Sequence, residues 1–269
     1  YTEEGGNVAK FLRDIAEAEK KGEQTYSIRR QPGIPLTGAT VWTFDRNGEL
    51  RSADPAVPGG LLNGVQIDEA GLIYFTMDHA RRVGGRMFLE GQGGNFGDPS
   101  DKKKSNLFTG TYVKTKPERF KLLMKNAPIP MDEPPKRAPD VTQGEAWVEG
   151  AEWLYAGASP IVTRLCSCWS SRFHLDWYMR SYVPEIYRHS IAVLDANGNL
   201  IMHLGRYANF DSAPGGKDGC KPGSEDIGFT AARYLGGTDN YLAVPDLGER
   251  IVVLKLNYHA EEIVPIKMK

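Results

Sequence analysis

Cysteine, histidine and net charge are scarce in this chain of 269 residues, and so is any long apolar run. Lys plus Arg number 33 against 34 Asp plus Glu, so no bulk field draws the protein to nucleic acid or to an anionic membrane surface. The one compact basic run, Lys102-Lys103-Lys104, reads as a solvated loop. No apolar stretch approaches the ~20 residues that cross a bilayer as a helix, so no membrane span is expected. The N-terminus lacks a signal-peptide pattern, yet the chain opens on Tyr1 instead of Met. The expectation is a processed or partial chain acting outside the cytoplasm, secreted or periplasmic.

The usual cofactor and hydrolase signatures are missing too. In Gly91-Gln92-Gly93-Gly94-Asn95-Phe96-Gly97, Phe96 stands where a dinucleotide loop needs its third Gly. Gly215-Gly216-Lys217-Asp218 lacks the leading Gly spacing and the hydroxyl residue of a phosphate loop. There is no Gly-x-Ser-x-Gly elbow and no His-Glu-x-x-His, and the Asp-rich turns do not fit a calcium loop of the EF-hand kind.

What the chain has in quantity is one kind of hairpin. Ser190–Arg206 reads as two strands joined at Asp195-Ala196-Asn197-Gly198. Val41–Leu50 has the same form around Asp45-Arg46-Asn47-Gly48, and Asp68-Glu69-Ala70-Gly71 has a shorter one. Gly accepts a positive φ and the Asp side chain bonds back to the turn backbone, which is why this unit folds tightly. Its repetition predicts stacked antiparallel blades. Five Trp and twelve Tyr suit packing between sheets or a sugar-binding face.

Only residues 7–20 predict a helix: Val8, Phe11, Leu12 and Ile15 share one face, Asn7 caps the start and Lys20-Lys21-Gly22 supplies a stop. Residues 1–37 are therefore an N-terminal helix and arm, and 38–269 the blades. Insertions rich in Gly and polar residues fall at about 79–106 and 205–226. A Pro-rich stretch at about 126–140 reads as a linker between blades. Ala146–Tyr155 reads as one strand opening a new unit.

Gly64-Val65-Gln66-Ile67-Asp68, Ser190–Arg206 and Asp239–Leu254 resemble blades of NHL-repeat β-propellers. The resemblance covers about half the chain, mostly after residue 38. It implies an all-β, propeller-like stack of three to four four-stranded blades. Propellers close with ~4–8 blades, so further blades from other chain material, a second chain or a partner protein are expected. The function this implies is a binding or scaffold module presenting a loop-rich face, with carbohydrate a possible ligand.

Two rival chemistries are legible. Cys166-Ser167-Cys168 with Cys220 is open to three readings: a metal site such as zinc or copper with His174 as a further ligand, a disulfide pinning the second insertion, or inert thiols. The alternative enzyme is a polysaccharide lyase or hydrolase using His79, Arg172, His174, Arg206 and Tyr207. In an extended Arg172-Phe173-His174-Leu175-Asp176 the three polar residues share one face, as base, charge stabiliser and orienting carboxylate or as a rim ion pair. His79, Arg206 and Tyr207 follow strands, where loops gather at a ligand-binding rim.

Overall fold

The structure is a computed structural model that describes residues 17–18, 20–22, 32–34, 41–57, 62–90, 109–127, 129–142, 144–159, 171–207, 227–247 and 250–257. It is all-β. The strands of the first half are β1 (Val41–Phe44), β2 (Leu50–Val57), β3 (Leu62–Ile67), β4 (Ile73–Met77), β5 (Arg82–Val83), β6 (Arg86–Met87), β7 (Gly110–Thr115), β8 (Phe120–Met124) and β9 (Ala146–Glu149). Then follow β10 (Ala151–Ala158), β11 (His174–Leu175), β12 (Ser181–Glu185), β13 (Ser190–Leu194) and β14 (Leu200–Leu204). The last are β15 (Arg206–Tyr207), β16 (Gly228–Phe229), β17 (Gly236–Gly237), β18 (Tyr241–Asp246) and β19 (Arg250–Lys255).

Four larger sheets result: β1-β2-β8-β9, β3-β4-β7-β10, β11-β12-β13-β14 and β17-β18-β19. None closes on itself. They pack face to face in one row, and strand alternation sets the order. In β4, Ile73, Phe75 and Met77 pack with Val41, Phe120, Leu122 and Val148 of the first sheet. The intervening Tyr74 points the other way, packing with Tyr112 of its own sheet and Val183, Ala192 and Leu194 of the third. Tyr182, Ile191 and Val193, on the far face of that third sheet, meet Leu242 and Val244 of the fourth.

Successive side chains of a strand face opposite ways, so a strand apolar at nearly every position must be covered twice. β4, β12 and β13 are buried at all positions for this reason. Each large side chain so buried contributes about 1.5–3 kcal/mol. Edge-on aromatic packing adds to it where Phe75 meets Phe120, with ring centroids 5.0 Å apart.

The ends of the row differ. Beyond the first sheet, the backbone of Gly33 pairs with Ile129 and Met124, and Trp147 is buried with its indole N–H donating to the Arg137 carbonyl. The Pro-rich stretch therefore connects β8 to β9 within one sheet and lies over it. Beyond the fourth sheet, Tyr241, Ile251 and Val253 are 49%, 68% and 61% exposed.

The predicted Asp turns form as a set. Asp45, Asp68 and Asp195 each accept, on one carboxylate oxygen, the N–H four residues on. In each the Gly three residues on has positive φ and donates to the Asp carbonyl. Asp176 builds the same turn, with Arg180 N–H on its carboxylate and Met179 N–H on its carbonyl. Met179 stands in the Gly position at φ 61°, which hid this fourth copy in the sequence. Traced through the pairing registers, all four turns lie at one end of the strands.

Two sequence expectations need correction. The strand expected over Ala146–Tyr155 breaks at Gly150 into β9 of the first sheet and β10 of the second. Gly150 has φ 73°, and a Cβ there would sit 1.9 Å from the Arg119 carbonyl oxygen, so the crossing requires glycine. Likewise Phe120–Met124 pairs with β2 and β9 rather than completing the β3-β4-β7 unit, whose fourth strand is β10. Of the helix predicted over 7–20, residues 7–16 and 19 lie outside the described residues. The described remainder shows one turn, with Lys21 N–H on the carbonyls of Glu17 and Ala18.

Two substitutions test the turn analysis. Met179→Gly relieves a left-handed conformation and raises stability by about 0.5–1 kcal/mol. Gly198→Ala does the opposite, costing more than about 1 kcal/mol, because φ is 82° and the new Cβ lies 2.6 Å from the Trp153 ring. Urea unfolding of the two variants beside the parent reads both signs.

Candidate functional site

At the end of the strands opposite the Asp turns lie His79, Ser159, Glu185, Arg206, Thr230 and Asp246, each at the close of a strand or just beyond it. Glu185 is the centre of this end. It closes β12 with no exposed surface, ahead of a 3-10 turn over Ile186–Arg188. One carboxylate oxygen accepts the Tyr155 hydroxyl at 2.7 Å and the Tyr187 hydroxyl at 3.2 Å. The other accepts Ser190 Oγ at 3.3 Å and faces His203 Nε2 at 2.9 Å and Arg188 Nε at 3.6 Å.

A buried carboxylate persists only when donors surround it. Here they come from three strands and the turn, so the cluster ties β10 of the second sheet to β12, β13 and β14 of the third. The phenols respond to their setting. Desolvation, with the Glu185 charge second, pushes Tyr187 up to about 12 and Tyr155 beyond the usual phenol range. The Arg188 guanidinium, beside the Tyr187 hydroxyl, is held above its ordinary value. His203 and Arg188 carry the exposed part of the cluster, at 26% and 48% of their side chains. Nothing local in the sequence marks Glu185, whose partners Tyr155 and His203 lie on other strands.

The residues singled out from sequence are distributed among several elements. His79 is buried after β4, with Nδ1 2.9 Å from Asp78 and its carbonyl accepting Thr111 Oγ. Arg206 and Tyr207 form β15, and the Tyr207 ring meets His189 edge-on at 4.7 Å, not His79. His189 in turn contacts the Thr230 carbonyl through Nδ1 at 2.6 Å.

Arg172 and His174 lie together along another edge of the row, where the first strands of successive sheets meet. Gln66 of β3 donates to the Phe173 carbonyl and accepts Leu175 N–H. Arg172 pairs with the segment before β17, its N–H on the Arg233 carbonyl and its carbonyl accepting Leu235 N–H. The proposed stripe of Arg172, His174 and Asp176 does not form an ion pair: Asp176 takes Arg180 at 2.6 Å inside its turn. Burial lowers the pKa of His174 against a smaller opposing pull from Asp176. Its ring lies beside Gly237, where a Cβ would come within 2.7 Å of Nε2.

Cys166, Cys168 and Cys220 lie outside the described residues. Among the described residues no three His, Cys, Asp or Glu side chains group as a metal site, and no helix is long and apolar enough to cross a membrane.

Two measurements check this electrostatic picture. Glu185→Ala strips the acceptor from several buried donors and costs about 3 kcal/mol or more, read as a fall in the urea midpoint. The pH dependence has a definite sign. Tyr74, Tyr112, Tyr155 and Tyr187 all have folded pKa values raised above the ordinary 10.0. The stability they confer is complete below pH 10 and is lost as pH rises through the folded values, about 12 for Tyr187. Thermal midpoints should fall steeply above pH 10, and Tyr187→Phe should make the fall shallower. Searched against family models and curated proteins, the chain matches none.

Proposed function

We propose that the chain is an incomplete propeller-like binding and scaffold module that assembles with further blades through its fourth sheet. One observation carries the reading. β18 and β19 bury Leu242 and Val244 against the third sheet and leave Tyr241, Ile251 and Val253 exposed on the other side. The second and third sheets pack against a sheet on each face, and the Pro-rich stretch covers part of the first, where Trp42 and Phe44 of β1 stay exposed. An apolar sheet face needs a second layer, and β19, the edge strand of its sheet among the described residues, offers backbone groups to a neighbour.

The NHL-like relationship and a setting outside the cytoplasm belong to this proposal and rest on the sequence. The ligand-presenting surface is the end that carries Glu185, His203, Arg206 and Tyr207, beside the 3-10 turn over Ile186–Arg188. A second reading, an enzyme acting on an acidic polysaccharide, is favoured by one contact: buried Glu185 orients His203, whose ring reaches solvent. Under that reading cleavage disappears in His203→Gln and survives in His79→Gln, which alters a buried side chain elsewhere.

Light scattering across the micromolar range tests the assembly. The parent protein should associate as concentration rises, and Ile251→Asp with Val253→Asp should stay monomeric while keeping its far-UV spectrum. A parent that is monomeric throughout and binds no apolar dye would contradict the proposal.

A further inference from the structure

The outer part of the Glu185 cluster holds more donors than the carboxylate can use. A carboxylate offers about four lone-pair sites, and Tyr155, Tyr187, Ser190 and His203 stand at them. Arg188 comes fifth. Its Nε is 3.6 Å from Glu185 Oε2, outside hydrogen-bond reach, and 3.5 Å from the Tyr187 hydroxyl. Its guanidinium carbon lies 5.5 Å from the centre of the Tyr187 ring. Charge and an aromatic face thus hold the guanidinium along its Nε edge. Among the described residues its two terminal nitrogens make no hydrogen bond, and 48% of the side chain is exposed. That planar fork is the part of an arginine that grips a carboxylate through two parallel bonds.

His203 reaches the same carboxylate oxygen as Arg188, which makes the two side chains neighbours. Its Nε2 is buried and faces Glu185. The ring nitrogen turned to a carboxylate carries the hydrogen, so Nδ1 of the neutral ring keeps a lone pair and accepts. The backbone that delivers Arg188 is strained. His189 ends the 3-10 turn at φ 55°, a left-handed conformation that costs a residue with a side chain about 1–3 kcal/mol. Contacts of its ring with the Thr230 carbonyl and the Tyr207 ring hold it there.

We propose that Arg188 and His203 form a recognition site for a hydroxy-carboxylate, the chemistry of a uronic acid unit. The Arg188 fork takes the carboxylate, and His203 Nδ1 accepts a neighbouring hydroxyl. Glu185 positions both side chains and does not touch the ligand. The site rests on the reading of this end as the ligand-presenting surface and is independent of the fourth-sheet face.

Calorimetric titration of the full chain at low salt tests it with four probes: galacturonate, a trigalacturonide, the methyl ester of that trigalacturonide and inorganic sulfate. Galacturonate or the trigalacturonide should bind, and the tighter of the two shows whether a free hydroxy acid or a polymer unit is the source. The methyl ester keeps the hydroxyls without the charge and should bind about tenfold or more weakly. Sulfate, an oxyanion without the hydroxyl, should also bind more weakly. Arg188→Gln should erase the preference for acid over ester, and Arg188→Lys should keep part of it. A role confined to holding the fold would leave that preference intact. Nitrogen NMR of the histidine rings should show His203 Nδ1 shifting as galacturonate is added. Failure of both acids to bind, sulfate as tight as either, or an acid-to-ester preference unchanged in Arg188→Gln would overturn the site. Saccharide binding indifferent to Arg188→Gln would leave the ligand surface standing and overturn this inference alone. Binding lost in Arg188→Gln by a strictly monomeric protein would remove the assembly proposal instead.

Discussion

Opposed burial of neighbouring side chains is the constraint on which the structure rests. Tyr74 and Phe75 are adjacent in one strand and are both fully buried, yet they belong to different cores. Tyr182 and Val183 repeat the arrangement one sheet further along. A strand of this composition is stable only between two layers, so each sheet obliges the next. Among the described residues that obligation is met at Trp147 by the Pro-rich stretch, whereas at the fourth sheet Ile251 stays exposed.

The two ends of the strands divide the remaining work. One is closed by four turns whose Asp side chains satisfy the turn backbone locally. Asp195 shows the consequence: hydrogen bonds from Asn199, through its side chain and then its backbone, hold that carboxylate below the ordinary range. The other end carries the buried Glu185, which joins two sheets through donors from different strands. Local satisfaction suits a turn, whereas long-range satisfaction locks sheets together and leaves His203 and Arg188 facing outward.

The sequence made these levels legible to different degrees. Turn chemistry is local, so Asp45, Asp68 and Asp195 and the all-β class were readable directly. Met179 concealed the fourth turn, because a residue with a side chain at positive φ leaves no signature. Sheet membership was less legible. Ala146–Ala158 looks continuous in sequence, and only the close approach of Gly150 to Arg119 divides it. The Glu185 cluster was not legible at all, since Tyr155 and His203 reach it from separate strands. His79 and Tyr207 lie at the end where ligand-binding loops were expected, His79 against Asp78 and Thr111 and Tyr207 against His189.

Amide hydrogen exchange of Tyr241–Lys255, followed as protein concentration is raised, tests the central claim most directly. If the fourth sheet awaits another layer, protection along β18 and β19 will climb with concentration while that of β4 and β13 stays constant. Protection of β19 that is already complete in dilute solution and indifferent to concentration would contradict the account.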